Sequence, residues 1–440
     1  MLSVLKNFDK GTLDKLQEAI VVNHLGEEMM LILTTQNVRD TLLEGTNCSN
    51  YFEALQELYK RYFLRSLDSR AITYYLQQNQ YDIIFKVLAN INIKELSGEE
   101  ITNNPYLQNV KFSKATSGSM NYIPGGLLYA KDIQEIEKRR RGSEREDMRF
   151  IVPNTIGPYN ENTYSNPDNP YLFRFHYYKY SVPDNQDFSA PLIAFPFLLD
   201  KSLTNVNRSG YMSVEPYEIN TLSEFLTKAN GNILMCGCGL GYAAYMAGLK
   251  ENVTGITILE LNSDVINLFQ SQVQSQLPKK VDIVHCDAYE FLEREDLSNY
   301  DCVYVDTWYC TDDMIIPYLR CLLLEEKYPN TKFIYWIEAS LLQEIRECLL
   351  EHIWTAATGY SIEGIGDGNV SQIVKKIIEN SNEVIDSAQK LNSFISDESI
   401  RQHLRALAKK YEGNMGTILP AKKTTKVNNK GQLVKKYGDN

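Results

Sequence analysis

From about residue 212 to residue 356 the sequence keeps one rhythm, short apolar runs alternating with longer amphipathic stretches. A parallel sheet wrapped by helices produces this pattern, because crossover helices cover both sheet faces and leave the strands apolar throughout. Five runs read as strands: 232–236 (NILMC), 255–260 (GITILE), 281–285, 302–305 and 333–337. An α/β unit is therefore expected over 212–360.

The flanks differ from this core. Residues 1–100 read as a mostly helical domain. In 51–67, Phe52, Leu55, Tyr59, Tyr62 and Phe63 share one face at helical spacing, with Lys60, Arg61 and Arg65 off it. A second helix is expected over 71–88. Residues 101–211 form a connecting region rich in Pro, Asn, Asp and Ser, where loops and short strands should dominate. Within it, 171–180 (YLFRFHYYKY) has strand composition, fit for a sheet edge, a small hairpin or a substrate-facing wall. Helices are expected again over 361–418, then a disordered basic tail over 419–440.

Composition excludes some partners. The net charge of -11 disfavours nucleic acid, which needs concentrated Lys and Arg against phosphate. The basic run Lys138 to Arg141 is met at once by Glu144, Glu146 and Asp147, and the Lys-rich tail reads as solvated. No apolar run has the length of a membrane span, and residues 1–10 lack a signal pattern. Cys236, Cys286 and Cys302 sit in core-like runs, as buried thiols of a reducing compartment do, so a cytoplasmic location is expected. Cys236 and Cys238 form a C-x-C pair without a matching second pair, so no metal site is expected.

The chemistry concentrates at the strand ends. After 232–236 comes Gly237-Cys238-Gly239-Leu240-Gly241, then a helix. Glycines permit positive φ and close approach to a ligand, and the helix start offers free N–H groups. A dinucleotide fingerprint wants Gly or Ala in the sixth position of this turn, where Tyr242 stands. The second strand ends in Glu260, suited to a ribose diol. The third runs into Asp287-Ala288, and that Asp can take an adenine amine or cap the next helix. The fourth ends at Asp306-Thr307-Trp308-Tyr309, and the fifth near Glu338. Upstream, Pro216 or Tyr217 should open a helix toward Lys228, which makes Glu215 and Tyr217 candidates for substrate contact or for plain capping.

Together ILMCGCGLG, ITILELNSDVI, VHCDAYEFL and YDCVYVDTW resemble the class I S-adenosylmethionine-dependent methyltransferase superfamily, nearest its spermidine-synthase-like branch. The resemblance covers about 212–345. It implies a Rossmann-like class I methyltransferase fold with S-adenosylmethionine as cofactor. It further implies that Gly237, Gly239 and Gly241 line the methionine part, Glu260 binds the ribose, Asp287 and Ala288 hold the adenine, and Asp306 faces the reacting centre. Two departures bear on the reaction. Aminopropyltransferases carry Asp where this chain has Leu240, and a second acid where it has Tyr309.

The expected function is methyl transfer to an unidentified acceptor, a small molecule or a protein. Asp306 and Tyr309 are the candidate catalytic residues, and Glu215, Tyr217 and Trp308 the candidate substrate contacts. Two alternatives stand beside it: an aminopropyltransferase using decarboxylated cofactor, and a non-catalytic cofactor-binding or scaffold protein. The N-terminal helices are the expected surface for a protein partner or a homo-oligomer.

Overall fold

The computed structural model describes residues 2–4, 8–34, 91–95, 103–123, 126–128, 156–158, 169–172, 175–179, 192–200, 202, 210–214, 216–359 and 368–419. The helices expected over 51–67 and 71–88, the Lys138–Arg141 run, and residues 420–440 of the basic tail lie outside them.

Strand β1 (Ser3–Val4) and helix α1 (Lys10–Thr34) open the chain. Strand β2 (Ile91–Glu95) and helix α2 (Pro105–Asn109) follow, then β3 (Ala115–Ser117), β4 (Met120–Ile123), β5 (Gly126–Leu128), β6 (Ile156–Pro158), β7 (Phe175–Lys179), β8 (Leu192–Ala194), β9 (Phe197–Asp200) and β10 (Gly210–Ser213). Short strands do dominate the described part of the connecting region. β10, β9, β4 and β3 form an antiparallel sheet in that order. Expected at a sheet edge or in a small hairpin, β7 instead occupies the middle of a three-stranded sheet, parallel to β2 and antiparallel to β6. Its partner β2 comes from the stretch expected to be mostly helical, a pairing that no local pattern announces.

Helices α3 (Pro216–Thr221) and α4 (Ser223–Lys228) replace the single helix expected up to Lys228, with the break at Leu222. The α/β core then alternates: β11 (Gly231–Cys236), α5 (Tyr242–Gly248), β12 (Val253–Glu260), α6 (Ser263–Gln272), β13 (Val281–His285), α7 (Ala288–Arg294), β14 (Cys302–Val305), α8 (Thr311–Lys327), β15 (Lys332–Tyr335) and α9 (Glu338–Thr358). Its five strands run parallel in the order β13-β12-β11-β14-β15. This is a Rossmann-like α/β arrangement. β14 is buried along its whole length and β11 over its last four residues, as strands covered on both faces must be.

The strand order reverses at β11, which has β12 and β13 on one side and β14 and β15 on the other. The crevice outside the carboxyl ends at such a switch point is where open α/β sheets bind ligands. Here the ladder continues one residue past the strands. Gly237 N–H donates to Leu259 O at 2.9 Å, Asp306 N–H to Cys236 O at 3.0 Å, Cys286 N–H to Glu260 O at 3.1 Å and Trp336 N–H to Val305 O at 3.0 Å. These bonds hold the four post-strand turns side by side.

Of the C-terminal helices α10 (Asn369–Asn380), α11 (Ala388–Phe394) and α12 (Asp397–Lys410), α10 and α12 pack on α8 and α9, and β16 (Val384–Ile385) pairs in parallel with β1. Val370, Ile373, Val374, Ile377 and Ile378 make the buried stripe of α10 at helical spacing. Arg401 of α12 reaches Glu325 of α8 at 2.8 Å and also pairs with Glu338 at the start of α9. Glu338, noted at the end of the fifth strand, thus serves as an ion-pair anchor. Among the described residues no helix is long and apolar enough to cross a membrane.

Candidate functional site

A cavity of about 430 Å³ opens at the carboxyl edge of the parallel sheet. Its floor is the glycine turn after β11. Gly237 (φ 101°), Gly239 (φ 47°) and Gly241 (φ 76°) all adopt left-handed backbone. At Gly237 a backbone carbonyl also forbids a side chain, and at Gly239 the Met212 side chain would have to move to admit one. A Cβ on Gly237 would lie 2.2 Å from the Asp306 carbonyl oxygen, and one on Gly239 2.0 Å from Met212 Sδ. Gly237 and Gly239 line the cavity. Gly241 is not among the lining residues, and a Cβ there would strike Phe269 and Val273 on α6. Its role is to let α5 start against that helix.

Most of the turn's own amides are already engaged. Cys238 N–H donates to Glu260 Oε2 at 3.0 Å, Leu240 N–H to Met212 Sδ at 3.2 Å and Gly241 N–H to Cys238 O at 2.9 Å. From outside, Tyr106 of α2 donates its hydroxyl to the Leu240 carbonyl, and Asn104 Nδ2 donates to the Tyr242 hydroxyl at 3.0 Å. The turn is clamped between β10, the end of β12 and α2, and is therefore preorganised.

Glu260 is 5% exposed and lines the cavity. Its Oε1 accepts Asn262 N–H at 2.8 Å, so with Cys238 it holds one backbone amide on each oxygen. Burial pushes its carboxyl above the usual range, and these amides oppose that shift. Each oxygen keeps a second lone pair, the requirement for accepting a ribose diol. Asp287 caps α7 through Oδ1, which takes Tyr289 N–H at 2.8 Å and Glu290 N–H at 3.1 Å, and it lines the cavity as well. Capping and cavity-facing roles coexist in this one carboxylate, with Ala288 beside it in the wall.

Asp306 follows β14 and receives the Tyr304 hydroxyl on Oδ2 at 3.2 Å. It reaches the cavity, yet the surrounding protein raises its carboxyl from 3.8 to about 7 by desolvation, with the Tyr304 hydrogen bond opposing. Tyr304 itself is buried and stacked on Phe225 at 4.1 Å. Trp308 lines the cavity, and its indole N–H is bound to the Trp336 carbonyl at 3.1 Å. Trp336 in turn donates to Thr221 Oγ1 at 2.8 Å. The next residue, Ile337, has φ 53°, a conformation costly for a β-branched side chain; it turns the chain from β15 into α9. Tyr309 is 60% exposed at the mouth, edge-on to Tyr211 of β10 with ring centroids 6.2 Å apart.

The cavity thus gathers Gly237, Gly239, Glu260, Asp287, Ala288, Asp306, Trp308 and Tyr309 from the ends of three parallel strands and the turn after β14. Glu215 and the side chain of Tyr217 lie outside the described residues. Asp312 and Asp313, the acids that follow Tyr309 most closely in sequence, serve helix starts. Asp312 accepts Asn369 N–H at the start of α10, and Asp313 accepts Cys310 N–H at 2.8 Å.

Sequence reasoning missed several wall residues. Glu218 stands one position after Tyr217, Tyr304 two before Asp306 on the same strand face, and Trp336 directly after the fifth strand; all three were within reach of pattern arguments. Tyr211 and Met212 were not, since they arrive from a different sheet. Among the described residues no group of three His, Cys, Asp or Glu is arranged to hold a metal ion.

No family model matches the chain, and no curated protein does. Among the solved structures that match, that of PH0851 is similar across 80% of this chain and 73% of its own, at 12% identity and a TM-score of 0.20. A likeness that slight carries no argument.

Proposed function

We propose that this protein is an S-adenosylmethionine-dependent methyltransferase whose acceptor meets the cofactor beside Asp306. The observation carrying this reading is the convergence of Gly237, Glu260, Asp287 and Asp306 on one cavity at the sheet's switch point. The donor set fits the cofactor. Glu260 has lone pairs for the ribose diol, the Asp287–Ala288 step suits an adenine edge, and the cradle at Gly237 has no room for a side chain.

The bound cofactor would supply an electrophilic methyl group on a sulfonium. The chain's part is positioning, the larger share of catalysis in a displacement of this kind. Tyr304 orients the Asp306 carboxyl, which can take a proton from an acceptor that must lose one. Trp308 and Trp336 form a wall fixed by their own hydrogen bonds, which helps exclude water. The buried thiols of Cys236, Cys238 and Cys302 suit a cytoplasmic setting.

One observation favours a second reading, aminopropyl transfer from the decarboxylated cofactor. The amides of Gly237, Cys238, Leu240 and Gly241 are already engaged, and the cavity offers a ligand carboxylate no cation among the described lining residues. Leu240 and Tyr309 weigh against it, because they stand where that chemistry uses acids. Calorimetric titration with S-adenosylmethionine and its decarboxylated form, followed by turnover with each labelled donor, tests both. Methyl transfer upholds the first reading and aminopropyl transfer the second. Binding without turnover would leave a cofactor-binding protein, and binding of neither donor would overturn the assignment.

A further inference from the structure

Oxygen holds the amides of Gly237, Cys238 and Gly241 in the glycine turn: the acceptors are the Leu259 carbonyl, the Glu260 carboxylate and the Cys238 carbonyl. Leu240 N–H differs, because it donates to a sulfur, Met212 Sδ, at 3.2 Å. A thioether is a weak acceptor, so this is the bond of the turn that an incoming oxygen displaces most readily. The same sulfur fills the cradle at Gly239. It lies 2.0 Å from where a Cβ on that glycine would stand, and Met212 lines the cavity. The strand that delivers it is irregular. In β10, Gly210 pairs with Leu199 and Met212 with Leu198, which leaves Tyr211 as an extra residue in a bulge. A bulge re-aims side chains: Tyr211, Met212 and Ser213 all line the cavity, whereas a regular strand sends successive residues to opposite faces. Met212 is half-buried and its unbranched side chain has three rotatable bonds, so it can swing aside while the core stays packed.

We propose that Met212 is a displaceable plug of the glycine cradle. Its thioether holds Leu240 N–H and occupies the place of the donor's aminobutyrate chain until the donor binds and drives it out. This rests on the S-adenosylmethionine reading above. Chemical likeness supports the exchange, since the Met212 side chain carries the same methylenes, sulfur and methyl as the methionine part it gives way to. The polar end of the donor then replaces a weak sulfur acceptor on Leu240 N–H. Moving the plug lowers the affinity of every ligand that reaches the cradle and of none that stops short of it, so Met212 sets the preference between the whole donor and its truncated forms.

Two probes titrated calorimetrically into the full chain test this: S-adenosylhomocysteine, and methylthioadenosine, which keeps the adenosine and the sulfur but has a methyl in place of the aminobutyrate chain. Met212→Ala should tighten S-adenosylhomocysteine binding about fivefold or more and leave methylthioadenosine within about twofold. Met212→Gln, similar in length, puts an amide oxygen in reach of Leu240 N–H and should weaken S-adenosylhomocysteine binding about fivefold or more, again sparing methylthioadenosine. A methionine that merely lined the bound ligand would give the opposite sign for alanine. Weaker S-adenosylhomocysteine binding by Met212→Ala, or equal effects on both ligands, therefore overturns the proposal. In wild-type protein carrying carbon-13 methionine methyls, the resonance absent from Met212→Ala should move far more with S-adenosylhomocysteine than with methylthioadenosine, and an equal response to both overturns it as well. If neither ligand binds the wild type, the donor reading has failed and the plug with it. If both bind and any of these adverse results appears, the plug alone has failed.

Discussion

Replacing Asp306 by asparagine should stabilise the protein at alkaline pH and leave it unchanged at acid pH. The folded protein raises this carboxyl from 3.8 to about 7, chiefly because burial disfavours the charged form. A displacement of that size corresponds to about 4 kcal/mol, at about 1.4 kcal/mol per pH unit. The sign follows from which state holds the proton. Below about pH 4 the group is protonated in both states and costs nothing. Between about 4 and 7 the folded protein holds a proton that the unfolded chain has released, so stability falls as pH rises; above 7 the full penalty stands. Asp306→Asn removes the ionisation while its carbonyl oxygen can still accept the Tyr304 hydroxyl. Urea unfolding of both proteins from pH 4.5 to 8.5 should give curves that diverge steadily and level off above pH 7, the variant ahead by up to about 4 kcal/mol. Glu260 and Glu344, also raised by burial, act in both proteins and cancel in the difference. A flat difference across that range would refute the claim that Asp306 ionises at a cost, and with it a carboxyl poised near neutrality for proton transfer.

Three further outcomes are expected. Gly237→Ala should destabilise far more than Gly359→Ala, because both positions have positive φ but only Gly237 also has a carbonyl oxygen 2.2 Å from the new Cβ; the Gly359 variant should lose about 1–2 kcal/mol by thermal unfolding. Glu260→Ala should weaken S-adenosylmethionine binding by about 1–3 kcal/mol, roughly 5- to 150-fold in calorimetric Kd, and unchanged affinity would dismiss it as the ribose ligand. Arg401→Ala should cost about 3 kcal/mol in denaturant unfolding, because Glu338 would lose its cation in a largely buried setting while Glu325 would keep Arg405.

The parallel core was legible because strands covered on both faces must be apolar throughout, which is a property of local sequence. All five of its strands fall within two residues of the expected bounds; the fifth ends at Tyr335 rather than at 337, because Ile337 takes a left-handed turn that no pattern foretells. The acids at Glu260, Asp287 and Asp306 were legible for a related reason. Successive parallel strands end on one edge, so residues far apart in sequence share a rim once the strands are known. The glycine turn was only half legible. Its spacing marked all three glycines alike, while tertiary packing divides them, Gly237 and Gly239 facing the cavity and Gly241 facing Phe269 and Val273.

What lay beyond the sequence depends on contacts between elements distant along the chain. β7 sits in the middle of its sheet because β2 pairs with it from some eighty residues upstream. Tyr211 and Met212 reach the cavity from an antiparallel sheet, and Tyr106 clamps Leu240 from α2. Asp312 and Asp313, near enough in sequence to pass for substitute acids, are spent on helix starts. By itself, then, the sequence determined an α/β core with acids along one rim, because strand burial and strand ends are local facts. The tertiary structure alone decided what else faces that rim: a wall of aromatic rings and carboxylates with no cation among its described residues, a charge balance set by the folded assembly of separate elements rather than by any one segment.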